Sequence, residues 1–304
     1  LRKRFLGRRC TDGSCVVSLS PQGSREFRRR WSFQDWAGAA ANLQRLAMPW
    51  CRQGWRIVPP AKMVLLSFIA LTLALSFSQT GGAVEYRQER LEMVRTIEDH
   101  ARYTTDILDG GRLSPGVIEV MRRVERHRFV PEGRRGSAYA DRPVRIGFGQ
   151  TISQPFIVAL MTHFLEPGIG KTVLEIGTGS GYQAAVLSPL VTKVCTIEII
   201  PELGRRATDL LVELAYDNVE TRIADGYHGW PDCGPYDGIV VTAAADHVPP
   251  PLVEQLKPDG RMVIPVGGGF SVQYLSLVEK DAAGATSSRQ LLPVRFVPFR
   301  RADE

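Results

Sequence analysis

The run Val173-Leu-Glu-Ile-Gly-Thr-Gly-Ser-Gly-Tyr-Gln183 joins a short apolar stretch to three glycines at alternate positions, Gly177, Gly179 and Gly181. Glycine lets a backbone turn sharply after a strand and approach a ligand with no Cβ in the way. A second apolar stretch, Val194-Cys-Thr-Ile-Glu198, closes on a carboxylate about 20 residues further on, the spacing at which an acid grips ribose hydroxyls. A lone Gly-x-Gly is an ordinary tight turn. Together with Glu198 it predicts a nucleotide-type cofactor lying across a strand end.

The glycine spacing also bears on which cofactor. A dinucleotide fingerprint would put its third glycine at position 182, where this chain has Tyr182. Glu175 precedes the turn, and an acidic loop hosts a sulfonium and an amino group better than a pyrophosphate. Ile223-Ala-Asp-Gly226 adds Asp225 near the expected adenine position. These residues predict S-adenosyl-L-methionine rather than NAD. No cluster has metal-ligand spacing, and no metal is expected.

The acceptor is constrained by what is missing after the fourth strand. Methyltransferases acting on amide or ring nitrogens often carry an Asn/Asp-Pro-Pro-Tyr/Phe element there, but this chain has Val241-Thr-Ala-Ala-Ala245. A carboxylate acceptor needs no such clamp. With a pKa of about 4 it is already ionised at neutral pH, so alignment and exclusion of water suffice. Gly147-Phe-Gly-Gln-Thr-Ile-Ser-Gln-Pro155 offers close backbone approach at Gly147 and Gly149 and hydroxyl donors at Thr151 and Ser153. The same residues also read as a helix N-cap, with Ser153 and Gln154 ahead of Pro155, and the two readings stand side by side.

Periodicity indicates the scaffold that holds these groups. Strands are expected over 173–177, 194–198, 219–223, 238–242 and 261–266, and helices over 155–165, 181–190, 201–214 and 249–257. Strand and helix in alternation predict an α/β fold with a doubly wound, mostly parallel sheet. Val272–Val278 and Leu291–Phe299, split by Asp281-Ala-Ala-Gly284, predict an antiparallel hairpin at the sheet edge. Leu91, Val94, Ile97 and Glu98 fit one helix of a small N-terminal cap. Val117, Val120, Met121 and Val124 fit another, opened by Ser114-Pro115. His127 sits among arginines and reads as a solvated histidine. Cys195 reads as a small buried hydrophobe and Cys233 as a loop residue, with no disulfide framework.

Residues 1–60 stand apart. They hold 12 Lys and Arg against 3 Asp and Glu and four of the five tryptophans, which leaves the other 244 residues at a net charge of −3 beside +6 for the chain. The bulk of the chain therefore gives no reason to expect nucleic acid. The leader, residues 1–62, is expected to be disordered or upstream of a true start at Met48 or Met63. The competing reading is a basic arm for nucleic acid or membrane. Residues 64–77 are 14 uncharged residues, short of the roughly 20 a membrane span needs. With Lys62 before and Gly81-Gly82-Ala83 after, segment 63–83 looks like an export signal. A helical cap and substrate-side region is expected over 85–150, and the catalytic domain over 151–300.

At this level of detail the chain resembles the protein-L-isoaspartate (D-aspartate) O-methyltransferase family, a class I, Rossmann-like methyltransferase group. The resemblance rests on Gly149-Gln-Thr-Ile-Ser-Gln-Pro155, the glycine run, Val241-Thr-Ala-Ala-Ala245, Leu256-Lys-Pro-Asp-Gly-Arg261, Ile264-Pro-Val-Gly267 and Val294-Arg-Phe-Val-Pro298. It implies methylation of the free α-carboxylate of isoaspartyl (and D-aspartyl) residues, after which the ester closes to a succinimide that partly reverts to aspartate. By position, it implies Ser153 as the active-site hydroxyl, with Thr151 and Ile152 lining the acceptor pocket. Glu175, Gly177, Thr178, Gly179 and Gly181 would hold the methionine end of the cofactor, Glu198 the ribose, and Asp225 with Gly226 the adenine. Arg295 and Val297, in the terminal strand, would border the peptide groove.

The expected partners are isoaspartyl proteins and peptides, with no nucleic acid and with membrane contact only through 63–83. A monomer is expected. The cytoplasm is the expected location, because the methyl donor is made there, with export or anchoring through 63–83 as the alternative. Two other functions compete: a methyltransferase for another carboxylate or small molecule, and a catalytically silent, membrane-tethered binding protein.

Overall fold

The computed structural model describes residues 8–11, 14–17, 86–268 and 271–302; the signal-like segment 63–83 lies outside them. The chain divides into two units, Leu1–Leu71 and Thr72–Glu304. In the first, β1 (Arg8–Thr11) and β2 (Ser14–Val17) pair antiparallel. Asp12-Gly13, a favoured hairpin dipeptide, separates them in sequence.

The second unit is built on a seven-stranded sheet. Its strands are β5 (Thr172–Ile176), β6 (Lys193–Glu198), β7 (Val219–Ile223), β8 (Tyr236–Val241), β9 (Leu256–Val266), β10 (Gln273–Lys280) and β11 (Thr286–Val294). In space the order is β7-β6-β5-β8-β9-β10-β11, parallel from β7 through β9 and antiparallel across β10 and β11. The order reverses between β5 and β8, so the loops leaving those two strands part and open a crevice at their carboxyl ends. A separate hairpin, β3 (Val144–Gly147) with β4 (Gln150–Ile152), carries the acceptor-side residues.

Alternation along the strands sends side chains to two cores. Val173, Val194, Val240 and Val263 join the helical layer, whereas Leu174, Cys195, Ile239 and Met262 join a second cluster with Cys233, Leu252 and Leu256. The first layer contains α1 (86–102), α2 (Pro115–Arg123), α3 (Pro155–Phe164), α4 (Tyr182–Leu187) and α5 (Pro201–Glu213). The second face carries the short helix α6 (Pro250–Glu254), whose Leu252 joins the second cluster. Helix α3 is buried along nearly its whole length, so it runs through the core and does not ride on it. Helix α5 is amphipathic and buries Leu203, Ala207 and Leu211, spaced one turn apart.

Four expectations are corrected by the structure. Helix α4 stops at Leu187 and passes into a 3₁₀ turn, Ser188–Leu190, because Pro189 has no N–H to continue the ladder. The expected helix 249–257 ends at Glu254, since Leu256 already pairs with Tyr236 in the sheet. The terminal strand starts earlier and ends earlier than 291–299. Gly284, at φ 86°, turns the chain straight into Thr286, and the polar, exposed residues 286–290 form an edge that apolar periodicity could not reveal. Cys195 and Cys233 form a disulfide, with Cα atoms 6.5 Å apart across 38 residues. Strand β6 and the loop before β8 are brought together only by the fold.

The sheet interior sets the stability of this unit. Leu174 is 0 % exposed at the centre of β5. Leu174→Ala is expected to cost about 2–5 kcal/mol, read as a lower urea midpoint at unchanged slope.

Candidate active site

The turn after β5 uses left-handed backbone at all three glycines, with φ 94° at Gly177, 54° at Gly179 and 85° at Gly181. It is held from three directions. The N–H groups of Gly177 and Thr178 donate to the Ile197 carbonyl at 2.8 and 3.1 Å. Thr242 Oγ1 donates to the Gly177 carbonyl at 2.7 Å, with the Ile176 carbonyl at 3.0 Å. Gly179 N–H donates to Glu198 Oε2 at 2.7 Å, and Glu198 Oε1 accepts from Ile200 N–H at 2.9 Å, just before α5. Glu198 thus ties the glycine turn to the start of α5.

Beneath the turn lies a second carboxyl. Glu175 is fully buried; Thr196 Oγ1 donates to its Oε2 at 2.6 Å and is itself 2.6 Å from Thr178 Oγ1, while Oε1 has no hydrogen-bond partner. Burial pushes its pKa from the ordinary 4.5 up to about 8; the Thr196 bond opposes the rise and the charge of Glu198 adds to it. At Asp225 the balance falls the other way. Burial disfavours its charge, but hydrogen bonds from the N–H groups of Tyr227 and Ala302 and from Arg301 hold its carboxyl below the ordinary value.

Two clefts meet at this end of the sheet. One, an open space of about 550 Å³, is walled by Gly177, Gly179, Glu198, Ile199, Gly226 and Phe299, among others. The second, about 1330 Å³, is walled by Ser153, Phe156, Leu292, Arg295 and Phe296, among others. Thr151, Thr242 and Val297 line both and mark the seam.

The residues singled out in the sequence divide accordingly. Gly177, Gly179, Glu198 and Gly226 reach the first cleft, Ser153 and Arg295 the second, and Thr151 and Val297 both. Glu175 and Thr178 are buried behind the turn, Gly181 forms the N-cap of α4, and Asp225 lies under its own hydrogen bonds. Ile152, expected on the pocket wall, is 4 % exposed and packs into the core, since Val144 pairs with it in the β3–β4 hairpin. Arg295 and Val297 were expected in the terminal strand. They lie beyond its end at Val294, where the chain leaves the sheet to cross over Ala244.

The N-cap reading of Ser153 and Gln154 is resolved. Gln154 makes no side-chain cap bond, and Asp141, from a distant loop, accepts Phe156 N–H at 2.9 Å and Gln154 Nε2–H at 2.8 Å. With the helix mouth capped from elsewhere, Ser153 faces the second cleft.

Sequence reasoning missed the group that fixes Ser153. Arg126 is 0 % exposed; its Nε donates to the Ala138 carbonyl and its Nη2 to the Ser153 carbonyl, both at 2.7 Å, and its guanidinium lies 4.8 Å from the Tyr182 ring centre. Among so many arginines nothing in the sequence marks this one as the buried anchor. His127 is likewise no solvated histidine. It is half-buried, stacks on Tyr86 at 4.1 Å and lies 2.8 Å from the Tyr139 hydroxyl; burial lowers its pKa. Thr242 was passed over inside an apolar segment. No group of three or more potential metal ligands occurs among the described residues.

Comparison with known proteins adds independent findings. The family described as Protein-L-isoaspartate(D-aspartate) O-methyltransferase (PCMT) matches residues 104–304. A relative from Syntrophobacter fumaroxidans, protein-L-isoaspartate O-methyltransferase 2, is 56% identical over 234 residues, covering 75% of this chain and 95% of its own. A solved protein-L-isoaspartate O-methyltransferase structure is 27% identical with a TM-score of 0.61, covering 69% of this chain and 65% of its own. A Plasmodium falciparum structure, described as a protein-L-isoaspartate O-methyltransferase in complex with S-adenosyl-L-homocysteine, shares the fold at a TM-score of 0.54. It is 24% identical and covers 67% of this chain and 97% of its own.

Two measurements probe the turn. A Cβ on Gly177 would lie within van der Waals overlap of Thr242 Oγ1, at 2.4 Å, on a backbone of φ 94°. Gly177→Ala should therefore weaken binding of S-adenosyl-L-homocysteine at least about tenfold by calorimetry, because left-handed strain and the clash both displace the turn. Glu175 has a raised folded-state pKa, so it stays protonated while the unfolded chain ionises. Its contribution to stability is full below about pH 4.5 and is lost as pH rises towards about 8. Urea unfolding at a series of pH values should show wild type losing stability relative to Glu175→Gln across that window; parallel curves would exclude the buried, protonated carboxyl.

Proposed function

The chain belongs to the protein-L-isoaspartate(D-aspartate) O-methyltransferase family, and from that membership we propose how its two clefts share the reaction. It is an S-adenosyl-L-methionine-dependent enzyme that methylates isoaspartyl residues of proteins. The observation that carries the division of labour is the seam at Thr151, Thr242 and Val297, where a glycine-walled cleft opens onto one walled by Ser153.

The first cleft suits the cofactor. At Gly177 the backbone comes so close to Thr242 that no side chain fits, leaving a cradle of bare backbone. We assign the methionine end to Gly177 and Gly179, with Thr178 and Gly181 shaping the turn and Glu175 as the acid beneath it. A cation arriving above Glu175 would favour its ionised form. Each oxygen of Glu198 accepts one backbone N–H, which leaves lone pairs for ribose hydroxyls. Asp225 and Gly226 are assigned to adenine. When bound, S-adenosyl-L-methionine supplies an electrophilic methyl group on a sulfonium.

The second cleft takes the acceptor. Arg295 is exposed at its wall and favours an incoming carboxylate. Ser153 and Thr151 offer hydroxyl donors that fix the carboxylate at the seam. Arg126 clamps the Ser153 peptide from below, so the hydroxyl is presented by a backbone that cannot swing. Phe156, Phe296 and Val297 give the groove apolar walls that displace water from the reacting oxygen. No side chain has to remove a proton, because the acceptor is already ionised. Ile152 acts from the core by holding β4 in place.

We place the enzyme in the cytoplasm, because the donor is made there. Export is a second reading, favoured by the Cys195–Cys233 disulfide, since such bonds persist in oxidising compartments. Mass spectrometry of the mature N-terminus separates the two: a start near Val84 means export.

Purified chain should transfer labelled methyl from S-adenosyl-L-methionine to an isoaspartyl peptide and not to its aspartyl twin; equal labelling of both would refute the specificity. Ser153→Ala should lower kcat roughly ten- to a hundredfold, the worth of one hydrogen bond to a charged group, with S-adenosyl-L-homocysteine affinity unchanged.

A further inference from the structure

Past Val294 the chain runs along the carboxyl ends of the strands. Ala244 N–H donates to the Val297 carbonyl and Phe299 N–H to the Ala244 carbonyl, each at 2.8 Å, so residues 297–299 are laid down as a short parallel pairing. That pairing aims residues 300–302 at Asp225. Arg301 Nε donates to Asp225 Oδ2 at 3.0 Å, and its guanidinium lies 3.7 Å from the Tyr227 ring centre. Ala302 N–H donates to the same Oδ2 at 3.1 Å, while Oδ1 accepts Tyr227 N–H at 2.9 Å. Oδ2 of the acid assigned to adenine thus takes two donors and Oδ1 one, with Arg301 closing over a side chain only 11% exposed.

A guanidinium is planar and cationic, with N–H donors at its rim. Stacked on an aromatic ring and bonded edgewise to a carboxylate, it offers that carboxylate what an adenine ring offers through its exocyclic amino group. Arg300, the preceding residue, lines the first cleft, so the segment lies at the cofactor's end of the site.

We propose that Arg301 is an internal competitor for the adenine end of the cofactor site, and that segment 297–302 is a latch that must release Asp225 before the cofactor binds fully. The proposal rests on the assignment of Asp225 to adenine. Its consequence is quantitative: the apparent affinity for the cofactor is the intrinsic one scaled by the fraction of molecules with the latch open. A merely structural tie has the opposite consequence. If Arg301 only anchors Phe299 and Arg300 as cleft walls, its removal loosens the site and weakens binding.

The test is calorimetric titration of the full chain with S-adenosyl-L-homocysteine, comparing wild type, Arg301→Ala and the double variant Arg301→Ala/Asp225→Ala. The latch predicts that Arg301→Ala binds roughly three- to thirtyfold tighter than wild type, and that the double variant binds more weakly than Arg301→Ala. If Arg301→Ala binds no tighter than wild type while the double variant is weaker still, the latch is wrong and the adenine assignment stands. If the double variant matches Arg301→Ala, Asp225 does not hold adenine, and the latch falls with that assignment.

Discussion

The bond between Gly179 N–H and Glu198 Oε2 is the contact on which the other parts of the site rely. It crosses from the turn after β5 to the last residue of β6, and the other carboxylate oxygen reaches on to Ile200 N–H before α5. Two loops that would otherwise move independently therefore share one anion. An exposed carboxylate would gain little from such bonds. Glu198 is 5% exposed, and an acceptor so poorly hydrated gains from each backbone donor it finds. The same position gives the acid its access to the first cleft, so holding the turn and facing a ligand are one placement.

Buried ionisable groups are disposed differently on the two sides of the seam. Glu175, below the glycine turn, has one oxygen bonded and one bare, and burial keeps its proton on at neutral pH. Arg126, below Ser153, keeps its charge by facing two carbonyls and an aromatic ring, although burial lowers its pKa. A cationic cofactor thus meets an acid able to give up a proton. An anionic acceptor meets a hydroxyl whose peptide is fixed from behind by a guanidinium. The reaction asks for alignment more than for proton transfer, and the buried charges serve to hold backbone in place.

The second wall of both clefts comes from residues 292–300, which leave the sheet after Val294 and cross to Ala244. An edge hairpin that returns over the switch point of a doubly wound sheet puts distant sequence next to the catalytic turn without lengthening any inner loop. Val297 is the clearest instance. Adjacent to Ala244 in space and far from it in sequence, it faces both clefts.

Features that depend on local chemistry were legible in the amino-acid order. Glycines that only left-handed backbone can use, apolar runs of strand length, the acid ending β6 and the proline opening α3 each have their cause within a few residues. Four of the five parallel strands and two of the four helices expected alongside them were placed from such signals to within a residue or two. β9 was expected only from 261 and starts at Leu256. The polar edge strand Thr286–Val294 escaped, since an edge needs no apolar alternation on its exposed half. Long-range folding alone decided which polar groups meet: Arg126 with the Ser153 carbonyl, Asp141 with the mouth of α3, Cys195 with Cys233, and Arg301 with Asp225. None of these pairs has a sequence signature. The hydrogen-bonded pairs form because burial leaves a donor or an acceptor with little water to turn to. The two cysteines can be joined because the fold brings their Cα atoms to 6.5 Å; in each case the fold determines which distant group is there.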